Sequence, residues 1–136
     1  MLHLRESAWR AMVGHAYDEL PNEACGLLAG RGDRAELFVP CRNADASSRT
    51  FSLGPDAWEQ VDTVVEPAGL TVLGVVHSHT HTEAYPSPTD IDQAQNPFLT
   101  GWRWLLVSLR QDEPVVRSYV IDGDDVAEEQ IALLGG

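Results

Sequence analysis

Lysine is absent from this chain of 136 residues: all nine basic side chains are arginine, namely Arg5, Arg10, Arg31, Arg34, Arg42, Arg49, Arg103, Arg110 and Arg117. Set against 21 acidic residues they leave a net charge of −12. A nucleic-acid partner and an anionic membrane surface are thereby excluded, because binding phosphate needs a basic face. The missing lysine fits a GC-rich coding sequence and equally an adaptation to high salt, where screening shortens self-repulsion to about 3 Å. Neither reading speaks to function. Cysteine is scarce too. Cys25 and Cys41 are the only two, in no paired motif, which rules out a disulfide scaffold and a four-cysteine zinc site. No apolar run approaches the roughly 20 residues of a membrane span. The start, Met1-Leu2-His3-Leu4-Arg5-Glu6, has no apolar stretch of the kind a secretory signal needs, so a cytoplasmic location is expected.

What is present suits one globular domain over residues 1–136, with 43% hydrophobic and 22% charged residues. Trp9, Met12, Val13, Ala16, Tyr17 and Leu20 recur at helical spacing and predict an amphipathic helix from about Glu6 to Glu19, stopped at Pro21. His15 falls off that stripe and is expected to face solvent. Ala24 to Ala29 and Ala35 to Val39, joined by Gly30-Arg31-Gly32-Asp33, read as a hairpin. Thr50 to Leu53 can form a short strand. Gly54-Pro55-Asp56 opens a second helix with Ala57, Trp58, Val61, Val64 and Val65 on its stripe, ending at Pro67. Leu70 to Val76 is nearly continuous and β-branched, as in a strand buried on both faces. A short helix from about Pro88 to Gln95 and strands at Trp102–Leu109 and Val115–Ile121 follow; the segment after Asp122-Gly123 is either strand or helix. The expected fold class is α/β (α+β), a mixed sheet with helices packed on its faces.

The chemistry gathers where the buried strand ends, at His77-Ser78-His79. Strand side chains alternate faces, so His77 and His79 project from the same side. Such a pair alone is weak ground for a metal, since histidine is often a satisfied polar residue. Further along, Ser87-Pro88-Thr89-Asp90 has the form of a helix N-terminus: a serine cap, proline at the first position and a carboxylate three residues after the cap. Helix starts of this kind are common without any function. Here, however, Asp90 falls close to the strand end and can supply a third ligand beside two histidines. Two histidines and one carboxylate leave a fourth zinc position open, the arrangement of a catalytic site.

In these residues the chain resembles the JAMM (JAB1/MPN/Mov34) metalloproteases. Their signature is an upstream glutamate, then His-Ser/Thr-His, seven residues, Ser, two residues, Asp. This chain reads His77-Ser78-His79, seven residues, Ser87, two residues, Asp90, with Glu23 ahead of Ala24-Cys25-Gly26-Leu27-Leu28. The resemblance spans essentially the whole chain. It implies a mixed, curved β-sheet flanked by helices, the JAB1/MPN (cytidine-deaminase-like) architecture. It also implies Zn2+ on His77, His79 and Asp90, Glu23 as general base, and Ser87 as donor to the tetrahedral oxyanion. The substrate implied is the Gly-Gly C-terminal tail of a ubiquitin-like or sulfur-carrier protein joined to an amine, as in the bacterial branch. The enzyme would then be a peptidase or isopeptidase, as a monomer or weak homodimer.

Neighbouring residues invite other roles. His81 would share the ligand face if the strand ran on. Glu83 reads as a loop or substrate-contact residue and is the next candidate base. Cys25 beside Glu23 suggests a thiol mechanism, against which stands the common burial of free cysteine on apolar strands. The tail is expected to bind as an added strand at an exposed sheet edge. The chain's own Leu133-Leu134-Gly135-Gly136 imitates such a tail, although a loose terminus with coincidental glycines is the simpler reading. Two alternatives to this peptidase remain: a catalytically silent MPN scaffold, which would lose ligands, and another zinc amidohydrolase. A nucleoside deaminase would need His-x-Glu and Pro-Cys-x-x-Cys, and neither occurs.

Overall fold

The computed structural model describes residues 1–136. In chain order it comprises β1 (Leu2–Arg5), α1 (Glu6–Asp18), β2 (Cys25–Arg31), β3 (Arg34–Cys41), α2 (Pro55–Gln60), β4 (Thr71–His79), α3 (Pro88–Gln93), β5 (Arg103–Ser108), β6 (Val115–Asp122), β7 (Asp125–Glu129) and β8 (Ile131–Leu134). The eight strands form one sheet in the order β7-β6-β5-β4-β2-β3-β1-β8. β4 pairs parallel with β5, and β1 pairs parallel with both β3 and β8; the remaining pairings are antiparallel. The sheet is curved and mixed, as expected. No helix is long and apolar enough to cross a membrane.

Alternation along the strands divides the interior into two cores, one on each face. Leu28, Phe38, Val76 and Leu105 join Leu2, Leu4 and the buried side of α1. Cys25, Leu27, Val75, Trp104 and Leu106 face the opposite way, under Ala57 of α2, Val65 and Phe51. β4 keeps this parity only after an irregularity: Leu28 pairs with Gly74 but Ala29 with Val72, so Leu73 is an extra residue turned to the α1 side. From Gly74 onward the alternation is regular, and Val75, His77 and His79 share a face. Gly74 also lets β5 approach closely, since a Cβ there would sit 2.4 Å from the Arg103 carbonyl oxygen.

Several expectations are corrected. α1 buries Ala8, Met12, Val13 and Ala16, while Tyr17 and Leu20 are 43% and 46% exposed. The helix stops at Asp18, so Leu20 lies beyond the region where helical periodicity applies. His15 does not face solvent. It is half-buried, its Nε2 lies 3.1 Å from the Cys25 carbonyl oxygen, and its ring packs against Phe38. Three residues beyond Met12, it borders the stripe and reaches the incoming end of β2. The segment Thr50–Leu53 is no strand and makes a single bridge, Leu53 to Asn43. α2 passes directly into a wider turn over Val61–Val65. The segment after Asp122-Gly123 is strand, as β7 and β8. The terminal Ile131–Leu134 is paired along β1 rather than loose, which sets Gly136 beside Glu6, Ser7 and Arg10.

Candidate metal centre

β4 is the interior strand from which the site is built, and it carries both histidines to its last residue. The side chains of His77 and His79 are buried, 1% and 4% exposed, with ring centroids 4.9 Å apart. Phe51 stacks on His77 at 4.2 Å, and Trp104 meets the same ring edge-on. Asp90 reaches them from the first turn of α3. Ser87 caps that helix: its Oγ accepts from the Asp90 N–H at 3.1 Å, and Asp90 Oδ2 accepts from the Ser87 N–H at 2.9 Å. The expected capping box is therefore real, and it serves to aim the carboxylate. Asp90 Oδ1 lies 3.1 Å from His77 Nε2, and Oδ2 lies 3.2 Å from His79 Nε2. Glu23, 5% exposed, completes the group with Oε1 at 3.4 Å from His77 Nδ1.

These distances set hydrogen-bond acceptors against one another. The Glu83 carbonyl lies 2.9 Å from His79 Nδ1, so that nitrogen carries the proton and donates. In a neutral ring Nε2 is then an acceptor, and it faces a carboxylate oxygen that is an acceptor too. Both His77 nitrogens are buried without a hydrogen-bond partner of acceptable geometry. Orphaned buried polar atoms are rare, and unmodified protein chemistry relieves this set only by adding positive charge. The electrostatics agree. Burial alone would lower the His77 pKa, but Asp90 and Glu23 outweigh it and raise it to about 9. Burial would likewise raise Asp90, yet the two imidazoles packed against its carboxylate, His77 first and then His79, hold it well below the usual carboxylate range. Glu23, His77 and His79 each offer an atom within 4.8 Å of the others, a spacing that suits one ion. The backbone carbonyl on His79 Nδ1 is the kind of partner that orients metal-binding histidines. The residues present fit a metal.

Two supporting residues were not legible as such in the sequence. Ser78 points to the opposite face from the two histidines, and its Oγ accepts from the Ala24 N–H at 2.8 Å while its own N–H donates to the Ala24 carbonyl. This ties the residue next to Glu23 to the histidine strand. Alternation foretells that Ser78 faces away from the histidines, but not its partner 54 positions distant. Asn43 is buried and donates from Nδ2 to the Glu23 carbonyl and the Thr50 carbonyl, while its Oδ1 accepts from the Asp45 and Ser52 N–H groups. It staples the 43–52 loop to Glu23 and so sets Phe51 over His77. A single asparagine in a polar turn carries no such signal.

Other candidates fall away from the cluster. β4 ends at His79, so His81 leaves the alternation and is exposed. Glu83 approaches the site through its carbonyl while its side chain faces solvent. Burial, followed by the neighbouring Cys41 and nearby carboxylates, pushes the Cys25 thiol up to about 12 and keeps it protonated. Cys25→Ala is accordingly expected to retain peptidase activity within about twofold; a hundredfold loss in kcat/KM would return the thiol to the mechanism. No sheet edge runs beside the histidines either. β4 is flanked by β5 and β2, and the edges are β7 and β8, so a tail cannot reach the site by extending the sheet at β4.

Comparison with known proteins agrees with this arrangement. The chain is 38% identical over 134 residues to a CysO-cysteine peptidase of Mycobacterium tuberculosis, covering 96% of this chain and 90% of that one. It is 35% identical over 115 residues to a chain of Thermus thermophilus given as a probable TtuB-protein conjugate cleaving protease, covering 83% and 72%. The solution structure of DSY2949 from Desulfitobacterium hafniense superposes with a TM-score of 0.89 at 37% identity, over 100% of this chain and 94% of that one. The model describing prokaryotic homologs of the JAB domain matches residues 5–129. The chain belongs to that family and is a peptidase.

Proposed function

We propose that the protein is a zinc-dependent peptidase or isopeptidase that hydrolyses the amide after the Gly-Gly tail of a ubiquitin-like or sulfur-carrier protein. The observation that carries this is the convergence of acceptor atoms from His77, His79 and Asp90 in a buried cluster with Glu23 beside it. His77, His79 and Asp90 would hold the ion. A bound zinc supplies Lewis acidity and lowers the pKa of water towards neutrality. Glu23, placed against the histidine cluster, takes a proton from the attacking water and returns it to the leaving amine. The Ser87 hydroxyl oxygen accepts from the Asp90 N–H, which leaves the hydroxyl hydrogen free to donate to an oxyanion. Phe51 and Trp104 exclude water from the inner side of the cluster. The names of the two relatives support a carrier conjugate as substrate.

Glycines suit this substrate because the cluster is buried and leaves little room for side chains near the scissile bond. The chemical claim is tested by hydrolysis of a peptide with Gly-Gly before the scissile amide. Activity is expected from zinc-loaded protein, lost after chelation and regained on zinc addition. Hydrolysis that survives complete removal of metal would refute the assignment.

A further inference from the structure

The 43–52 loop touches every part of the histidine cluster. Its Ser47 carbonyl accepts from the Glu23 N–H at 2.8 Å, and its Ser48 carbonyl accepts at 3.1 Å from Oγ1 of Thr80, the residue after His79. Phe51 stacks on His77. The fourth tie runs to α3, where Gln93 Nε2 donates to the Phe51 carbonyl at 2.7 Å. A carbonyl only accepts, so the nitrogen end of the amide is the one that faces it. α3 depends on this tie. It is six residues long, and its one buried residue is Asp90, a carboxylate, so no buried apolar side chain anchors it. Apart from the contacts of Asp90 with the histidines and the cap, the bond of Gln93 is the only hydrogen bond made by a side chain of α3. The opposite flank of the cluster is held differently. There the Thr82 and Ala84 carbonyls accept from Ser108 Oγ and the Tyr119 hydroxyl, buried side chains of the sheet strands β5 and β6.

We propose that Gln93 is a positioning residue for the metal centre: by clamping α3 to the 43–52 loop it holds Asp90 against the histidines and Phe51 over His77 at once. The inference rests on the metal-dependent reading above and names a residue that preorganises its site. Asp90 and Gln93 are three positions apart and so share a face of α3. The contacts close a ring. Asp90 Oδ1 lies 3.1 Å from His77 Nε2, His77 stacks on Phe51 at 4.2 Å, the Phe51 carbonyl accepts from Gln93, and one helical turn leads back to Asp90. Opening the ring at Gln93 leaves the Phe51 carbonyl without its donor and frees both sides. The helix can then swing its carboxylate away from the two Nε2 atoms, and the loop can lift Phe51 off the imidazole. A carboxylate that must be aimed again on binding an ion costs affinity. Changing a residue that orients metal ligands from outside typically costs about 10–100-fold. Gln93 itself touches none of the three residues assigned to the ion, so its effect passes through the backbone of α3 and of Phe51.

The test uses Gln93→Met, which keeps the length of the side chain but not its donor, and Gln93→Glu, which sets an acceptor against the carbonyl. Gln95→Ala is the control, because that amide bonds instead to the Gly123 carbonyl, away from the cluster. Zinc affinity is measured by competition with a chromophoric chelator. In metal-free protein the His77 ring protons are followed by NMR, with Phe51→Leu giving their position when no aromatic ring lies over them. Both Gln93 variants are expected to keep a native circular dichroism spectrum, to bind zinc at least about tenfold more weakly, and to lose most of the ring-current displacement at His77. Gln95→Ala should match the wild type in both measurements. Where the wild type binds zinc, an unchanged affinity in the Gln93 variants, an unmoved His77 signal, or an equal loss in Gln95→Ala overturns the clamp. A wild type that binds no zinc, with a His77 signal that still depends on Gln93, upholds the clamp and refutes the metal reading. If the wild type binds no zinc and the signal is unmoved, both are wrong.

Discussion

Glu23→Gln is expected to keep its fold and its metal while losing at least about 100-fold in kcat, the usual scale for removing a general base. The substitution is nearly isosteric and preserves the backbone contacts that hold the residue, which run through its carbonyl to Asn43 and its N–H to the Ser47 carbonyl. What it removes is the carboxylate beside His77 to which the proposed mechanism gives the base role. The loss should fall on kcat more than on KM, because the group acts on the reacting water rather than on bound substrate. Unchanged activity would take the base role from Glu23. Glu83 would not inherit it on the geometry seen here, because its side chain is exposed and only its carbonyl touches the cluster.

Asp90→Ala should behave differently and lose both metal and activity. Its carboxylate is shared by both histidines and by the cap of α3, so the change has a structural cost as well. Loss of the carboxylate from the first helical turn and of its bond to the Ser87 N–H should destabilise the fold by about 1 kcal/mol. Asp90→Asn separates the two effects. The amide oxygen can still accept from the Ser87 N–H and keep the helix start, but it offers no charge to a cation. Thermal melts and metal content measured together decide the matter. A metal-free, fully inactive Asp90→Asn protein with a nearly native Tm is the expected outcome, and an Asp90→Asn protein that retains metal would remove Asp90 from the ligand set.

The geometry of the candidate site is largely legible in the sequence because its parts obey short-range rules. Strand alternation puts His77 and His79 on one face, and the cap rule puts Asp90 in the first turn of α3; both hold in the structure. The placing of Glu23 is of another kind. Its approach to His77 depends on the Ser78–Ala24 and Asn43–Glu23 bonds, which join segments distant in sequence, and only the family resemblance pointed to it. The same limit explains the errors. Helical spacing places His15 outside, but the partner that buries it is a carbonyl on β2. The expected strand at Thr50–Leu53 fails because Asn43 takes the Thr50 carbonyl and the Ser52 N–H for itself. The docking of a tail along a sheet edge required knowing that β4 is flanked on both sides, a matter of strand order that periodicity does not contain.

The central claim is that the acceptor atoms of His77, His79 and Asp90 converge because a metal belongs between them. Elemental analysis of the purified protein, dialysed against zinc-containing and then metal-free buffer, tests it most directly, with His77→Ala protein treated alongside. The account predicts one zinc per chain in the first and far less than one in the second, both remaining folded by circular dichroism. A folded wild-type protein without zinc, or a His77→Ala protein with as much zinc as wild type, would contradict it.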